Sequence, residues 1–337
     1  MTDPQPHLTP EEKLLISLCR LDFSEEQKSK ISLLVKEVKD WDHFLNLVNK
    51  HGLIALSAYN LRKTGLEDLM PAAIMKTLDN GRMKSMVRNA WLVQRWKHVN
   101  KILSTAGIKH VLLKGMALEY TVYGAKGLRQ MTDCDILVKK QDALKSWFLL
   151  QKYGFIPDII KSPLHRKIIA EIGKHLPTLR KDDFPIEIHH RLFVEPEKNK
   201  KLDEAIDNAF EIDIEGTKAY ILNDDIHLDY LKEHLYYHLV SGESQLRQYL
   251  DLELLKPESS PPIPEGFLAA PVISVSRKQR INAYRVLFFS LPQRIRFRFL
   301  AGDIFPSLNW MKKRHNCGTL KALLYYPQRL GKLVWLM

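Results

Sequence analysis

Asp133 and Asp135 stand two apart at the head of Asp133-Cys134-Asp135-Ile136-Leu137-Val138, a run that begins with alternating acids and ends apolar. In an extended strand, residues i and i+2 share a face, so both carboxylates point the same way, roughly 6–7 Å apart. Carboxylates so placed can both reach a pair of Mg²⁺ ions about 3.5–4 Å apart. Mg²⁺ takes a few carboxylates together with phosphate oxygens and water. Cys134 then faces the other side, as a small core hydrophobe with no reason to be a nucleophile. A lone Asp-x-Asp also describes many exposed turns and strand ends, so its meaning depends on its company.

Lys114-Gly115 closes the short apolar run 108–113 and precedes a helical stretch. A glycine between strand and helix lets backbone N–H groups come close to a phosphate, and the helix N-terminus adds partial positive charge. A plain strand-to-helix turn gives the same pattern. Lys114 and Arg129 either neutralise triphosphate oxygens or stand as solvated surface charges. Glu187 lies between Ile186 and Ile188, so it shares a face with His189, opposite the isoleucines. An acid there must bind metal, pair with a charge or face solvent. In a phosphoryl-transfer site it would complete a metal shell or take the proton from an attacking hydroxyl. His189 is placed to touch nucleotide or acceptor, ahead of His175.

The elements that must carry these residues are legible in outline. The first hundred residues read as helices. Thr9-Pro10-Glu11-Glu12 is a helix start, with Leu14, Leu15, Leu18 and Leu21 following at helical spacing. Ser24-Glu25-Glu26-Gln27 is a capping box ahead of Ile31, Leu34 and Val35. Helical patterns continue over 41–48, 53–61 and 83–106. After Gly107 the pattern becomes strand (108–113), helix (116–123), polar turn (124–132), strand (133–138) and amphipathic helix (141–153). Two more strands, 176–179 and 186–193, flank a turn at Lys181-Asp182-Asp183. From Asn223 the chain reads as helical again, broken by the Pro/Ser-rich 257–264.

This order of strand, Lys-Gly, helix, Arg-bearing turn, Asp-x-Asp strand and later acid resembles the polymerase-β nucleotidyltransferase superfamily. More narrowly, AGIKHVLLKGMALEYTVYGAKGLRQMTDCDILV (106–138) is similar to a bacterial family of uncharacterised nucleotidyltransferases. So are RNAWLVQRWKHVNKIL before it and PIEIHHRLF after it, with weaker likeness in HLDYLKEHLYYHLV, LRQYLDLELL and DIFPSLNWMKKRH. The resemblance implies an α+β fold, a small mixed-sheet polymerase-β-like core at 107–197. N-terminal (1–106) and C-terminal (198–337) helical domains would flank it. It implies Mg²⁺ held by Asp133, Asp135 and Glu187, and an NTP, ATP favoured, as co-substrate. Gly115 and its neighbouring amides would cradle the triphosphate, with Lys114 and Arg129 beside it. A hydroxyl of a small molecule, peptide or protein would attack the α-phosphorus, release pyrophosphate and keep the nucleotidyl group, AMP favoured. The sequence departs from the superfamily in having Gly115-Met116 where Gly-Ser is usual, in a long gap from Gly115 to Asp133, and in a Glu as third acid. Two rival readings are an RNA-directed nucleotidyltransferase and a nucleotide-binding protein without turnover.

Bulk properties set the surroundings. The 337 residues suffice for about two domains. Three scattered cysteines, Cys19, Cys134 and Cys317, make neither a disulfide framework nor a zinc site and suit a reducing compartment. The polar start MTDPQPHLTPEEK is no signal peptide. No apolar run approaches the roughly 20 residues that span a bilayer. The expected location is therefore cytoplasmic. The net charge of +12 sits wholly in 267–337, which has 13 Lys or Arg and one acid, Asp303; the remainder is neutral. Such a field attracts polyanions, whether nucleic acid, an anionic membrane or an acidic protein, unless it is simply a solvated helical surface. Arg294, Arg296 and Arg298, with Trp310, Lys312, Lys313 and Arg314, interleave cations with apolar rings and suit either of the first two. His234 and His238 have metal-ligand spacing, but Leu235 stands where a zinc protease needs Glu, so packed histidines are expected.

Overall fold

The computed structural model describes residues 8–241, 243–263, 267, 285, 288–289 and 291–334. The start of the chain through His7, on which the signal-peptide reading partly rests, lies outside the described residues, as do Pro264 of the Pro/Ser-rich break and parts of the basic stretch.

The chain opens in helices whose starts are written in their first four residues. Helix α1 (Pro10–Leu18) begins at Thr9, whose hydroxyl accepts from the Glu12 amide while the Glu12 carboxylate accepts from the Thr9 amide. Helix α2 (Glu25–Glu37) repeats the device with Ser24 and Gln27. Helices α3 (Trp41–Lys50), α4 (Ile54–Thr64) and the long α5 (Ala72–Thr105) follow.

The pattern then alternates. Strand β1 (His110–Leu112) leads into α6 (Lys114–Thr121), then β2 (Cys134–Val138) and α7 (Lys140–Lys152). Every residue of β1 and β2 is buried, His110 and Asp135 included, so both strands are covered on both faces. Next come β3 (Ile156–Pro157), α8 (Pro163–Ile172), β4 (Leu179–Lys181) and β5 (Phe184–His189). The β4–β5 hairpin turns on Asp182 (φ 49°) and Asp183 (φ 60°), consecutive left-handed residues of the kind that suit tight hairpins.

Residues 198–337, expected to be helical, contain a second hairpin. After α9 (Leu202–Asp207), strands β6 (Phe210–Ile214) and β7 (Thr217–Ile221) pair antiparallel around Glu215-Gly216. The alternation in Phe210-Glu211-Ile212-Asp213-Ile214 carries this signal, and Gly216 (φ 77°) supplies the turn. Strand β7 pairs parallel with β1, Ile221 opposite Leu112. The sheet order is β3-β4-β5-β2-β1-β7-β6, seven strands of mixed direction. Helices α10 (Asp224–Ser241), α11 (Leu246–Leu255), α12 (Gln293–Ile304), α13 (Leu308–His315) and α14 (Thr319–Val334) complete the described chain.

The chain divides into two compact units, drawn from Met1–Lys101, Val111–Asp135 and Asp207–Ile273, and from Ile102–His110, Ile136–Ile206 and Ser274–Met337. In the first, Leu14, Leu18, Ile31, Phe44 and Leu61 of the opening helices share one core with Leu118, Tyr123 and Leu250. Each such side chain contributes about 1.5–3 kcal/mol on burial. In the second, α8 and α12 meet through Ile168, Leu291 and Ile295. A polar joint reinforces that contact. The buried Asp303 carboxylate is ion-paired with Lys161 and lies 3.1 Å from His165 Nε2, and His165 Nδ1 is 2.8 Å from Ser162 Oγ. Gly302 leaves no space there, since a Cβ on it would meet both Ser162 Oγ and the His165 ring. The Ser-His-Asp chain is therefore a sealed joint rather than a reachable nucleophile. No helix of the described residues is long and apolar enough to cross a membrane.

Candidate active site

Lys114 begins α6 in left-handed backbone (φ 48°), a conformation unusual for a residue with a side chain. Its ammonium lies 2.7 Å from Asp135 Oδ1, with both groups largely removed from solvent. Leu113, at the cap position of α6, makes no side-chain cap, so the helix start at Lys114-Gly115 presents backbone amides that no capping side chain occupies. The Leu113 amide donates to the Asp135 carbonyl, 3.0 Å away, which locks this corner to β2. Gly115 is required by crowding: a Cβ there would come within 2.8 Å of Met131. Cys134 between the two aspartates is fully buried, and burial, with Asp135 and Asp133 beside it, drives its thiol pKa well up. It faces away from the two acids, as its place between them in the strand requires.

The loop that delivers Asp133 is built on buried charge. The buried Glu119 carboxylate of α6 accepts from Asn89 Nδ2, from the Gly127 amide at 2.7 Å and from the Arg129 amide at 3.1 Å. Burial raises its pKa, against those hydrogen bonds. Ser85 Oγ donates to the Gly127 carbonyl, and Arg88 to the Thr132 carbonyl. Gly127 (φ 79°) must be glycine, because a Cβ would come within 2.8 Å of the Met86 backbone. Arg129 is buried and forms a two-pronged pair with Asp251 of α11, both contacts 2.7 Å. Tyr123 Oη donates to the same carboxylate at 2.7 Å. Burial works against the guanidinium charge of Arg129, and Asp251 overrides it, so its pKa is raised. Arg247, donating to the Gln130 carbonyl, is instead lowered to about 10 by burial and by Arg129. Arg129 thus holds the loop in shape; the donors it would offer a triphosphate are engaged with Asp251 and Gln130.

Glu187 and His189 share one face of β5, with His189 Nε2 3.6 Å from Glu187 Oε2. Thr178 Oγ1 donates to Glu187 Oε1 at 3.1 Å, and His175 Nε2 stands 3.9 Å from Oε2. His175 and His189 are bridged partners with ring centroids 5.1 Å apart. In sheet order β5 is next to β2. One ligand atom each from Asp135, Glu187 and His189 lie within 4.8 Å of one another. Asp133, just ahead of β2 and partly exposed, is not in that group; its carboxylate accepts from Thr132 Oγ1. The structure therefore groups Asp135 with Glu187 and His189, pairs Lys114 with Asp135, and sets Arg129 in a buried pair. Asn89, Glu119, Arg247 and Asp251 were not read from the sequence as parts of this arrangement. The one available signal was an acid inside the apolar run Tyr249-Leu250-Asp251-Leu252.

Two carboxylate oxygens and an imidazole nitrogen thus lie near enough to one another to hold a metal ion, and Lys114 pairs with one of the acids. The chain is a nucleotidyltransferase. It belongs to the family described as uncharacterised nucleotidyltransferases, whose sequence pattern matches residues 37–267. The match begins earlier than the likeness read from the sequence and ends before DIFPSLNWMKKRH. No curated protein matches the chain.

Proposed function

We propose that this enzyme moves AMP from ATP to a hydroxyl of a small molecule, peptide or protein, assisted by a divalent cation of the Mg²⁺ kind, on a polymerase-β-like core. The observation that carries the proposal is the grouping of Asp135, Glu187 and His189 beside Lys114. The two carboxylate oxygens suit such an ion and leave room in an octahedral shell for water and phosphate oxygens, while the imidazole nitrogen of His189 is the softer donor of the set. Asp133, on the Asp135 side of the strand, is retained as the carboxylate for a second ion. When bound, the metal neutralises phosphate oxygens as charge builds in the transition state.

The chain's own groups supply the rest. Lys114 pairs with Asp135 and offers its ammonium to the triphosphate. The amides at Lys114-Gly115 supply a fixed partial positive charge. Glu187, steadied by Thr178 and flanked by His175 and His189, accepts the proton of the attacking hydroxyl. Arg129, Glu119 and Asp251 keep the loop before Asp133 rigid, so that the acids need not reorganise during the reaction. An RNA acceptor is less favoured, because Arg294 and Arg298 of the basic stretch are paired with Glu171.

The test is transfer of label from α-labelled and γ-labelled ATP into a host-cell extract, with the parent enzyme and Asp135→Asn/Glu187→Gln. The proposal expects label from the α-position only, and its loss in the double variant. Label from the γ-position alone would make the reaction a phosphoryl transfer and refute it. Label from the α-position that survives in the double variant would remove these residues from the chemistry.

A further inference from the structure

Helix α14 turns its apolar face to solvent. Leu320 is 82% exposed, Leu323 49% and Leu324 72%, while the side packed inward is Ala322 with the half-buried Tyr325 and Tyr326. Positions i, i+3 and i+4 share one helical face, so the three leucines form a single stripe. The inward side is pinned: Tyr326 Oη donates to the Pro306 carbonyl at 2.6 Å, and the Tyr325 ring stacks on His315 at 3.9 Å. The stripe is therefore a fixed feature of the fold, and solvating it is unfavourable without a partner.

Its surroundings say what partner. Lys313, Arg314 and Lys321 are exposed on α13 and α14. The stretch from Phe267 on carries the whole net charge of +12, and its one acid, Asp303, is buried against Lys161 and His165. Glu171, from outside that stretch, pairs with Arg294 and Arg298, and no exposed acid of the stretch itself stands beside Lys313, Arg314 and Lys321. Leucines flanked by cations, on a helix face with nothing over it among the described residues, match an interface that is apolar at one depth and anionic just above it. Stacking of nucleobases fits less well here. The Trp310 ring is engaged by Arg314 at 4.9 Å, and His315 and Tyr325 are stacked on each other. What α14 leaves exposed is aliphatic.

We propose that α13 and α14 form a peripheral docking surface for an anionic lipid bilayer. Leu320, Leu323 and Leu324 enter the boundary between headgroups and acyl chains, and Lys313, Arg314 and Lys321 meet lipid phosphates. This surface is independent of the transfer reaction. It places the enzyme beside acceptors at a membrane.

The experiment is co-sedimentation of the full chain with vesicles of phosphatidylcholine alone and of phosphatidylcholine mixed with phosphatidylglycerol. Pelleting is expected with the anionic vesicles only, and to fall with added salt. Leu320→Ser/Leu324→Ser should weaken partition by at least about tenfold. Lys313→Gln/Lys321→Gln should weaken it about fivefold per charge removed. An unchanged thermal midpoint checks that each variant folds; for any that does not, Leu323→Ser alone repeats the measurement. Failure to pellet with anionic vesicles would overturn the proposal. So would a leucine variant that pellets like the parent. Loss of self-association in the leucine variants, without lipid dependence, would make the face a contact between copies of this chain. Retention of single-stranded RNA that these variants abolish, without vesicle binding, would assign it to nucleic acid.

Discussion

Lys114 concentrates the chemistry of the site in one side chain. Its left-handed backbone costs on the order of 1 kcal/mol, and what that conformation secures is an ammonium 2.7 Å from Asp135. The pair orients the carboxylate, yet it also competes with any cation that Asp135 binds. Lys114→Met should therefore separate binding from turnover. Mn²⁺ affinity should rise by about tenfold as the competing charge leaves. Transfer should fall by roughly 10²-fold or more as the triphosphate loses a counter-charge. Calorimetric titration beside initial rates checks both. The face shared by Glu187 and His189 was legible in the sequence because strand periodicity is local. The true setting of Arg129 was not, because its partner Asp251 is 122 residues away and no local rule couples them.

At the scale of elements, the loop between α6 and β2 owes its shape to buried charge more than to apolar packing. Asp251 anchors it by accepting from Arg129 and Tyr123. Asp251→Asn would leave a buried guanidinium without its counter-ion, and should cost about 3–5 kcal/mol in urea unfolding. Arg129→Met/Asp251→Leu should recover much of that loss, since the pair is removed whole. A double variant no more stable than the single one would show that the pair acts through more than its own charge balance. Capping boxes at Thr9 and Ser24 made α1 and α2 readable from four residues each. Strands β6 and β7 were harder to find. Their alternation is short and mostly exposed, so it gives little apolar signal, and the parallel pairing that joins β7 to β1 links residues more than a hundred apart in sequence.

Across the whole molecule, buried histidines set the response to acid. Burial lowers His51, His110 and His227 to about 4, from an ordinary value of 6.5. The folded chain takes up these protons less readily than the unfolded one. The stability involved is complete above pH 6.5 and lost as pH falls toward 4. At pH 5 each histidine should have withdrawn on the order of 1–2 kcal/mol. Urea midpoints at pH 7 and pH 5 test this, and His110→Gln should flatten the difference. The overall charge pattern was visible in the sequence, with +12 confined to the last segment. That α14 turns leucines outward beside it was not visible, because a helical stripe does not reveal which way it faces.

In the proposed reaction Asp135, Glu187 and His189 jointly hold a divalent cation. The most direct measurement of this is Mn²⁺ binding to the full chain, followed by the loss of the free-ion electron paramagnetic resonance signal, in the parent, Asp135→Asn, Glu187→Gln and His189→Ala. Saturable binding is expected in the parent, weakened at least about tenfold by each substitution. Parent-like binding in Asp135→Asn would contradict that shared role, whatever the enzyme's activity.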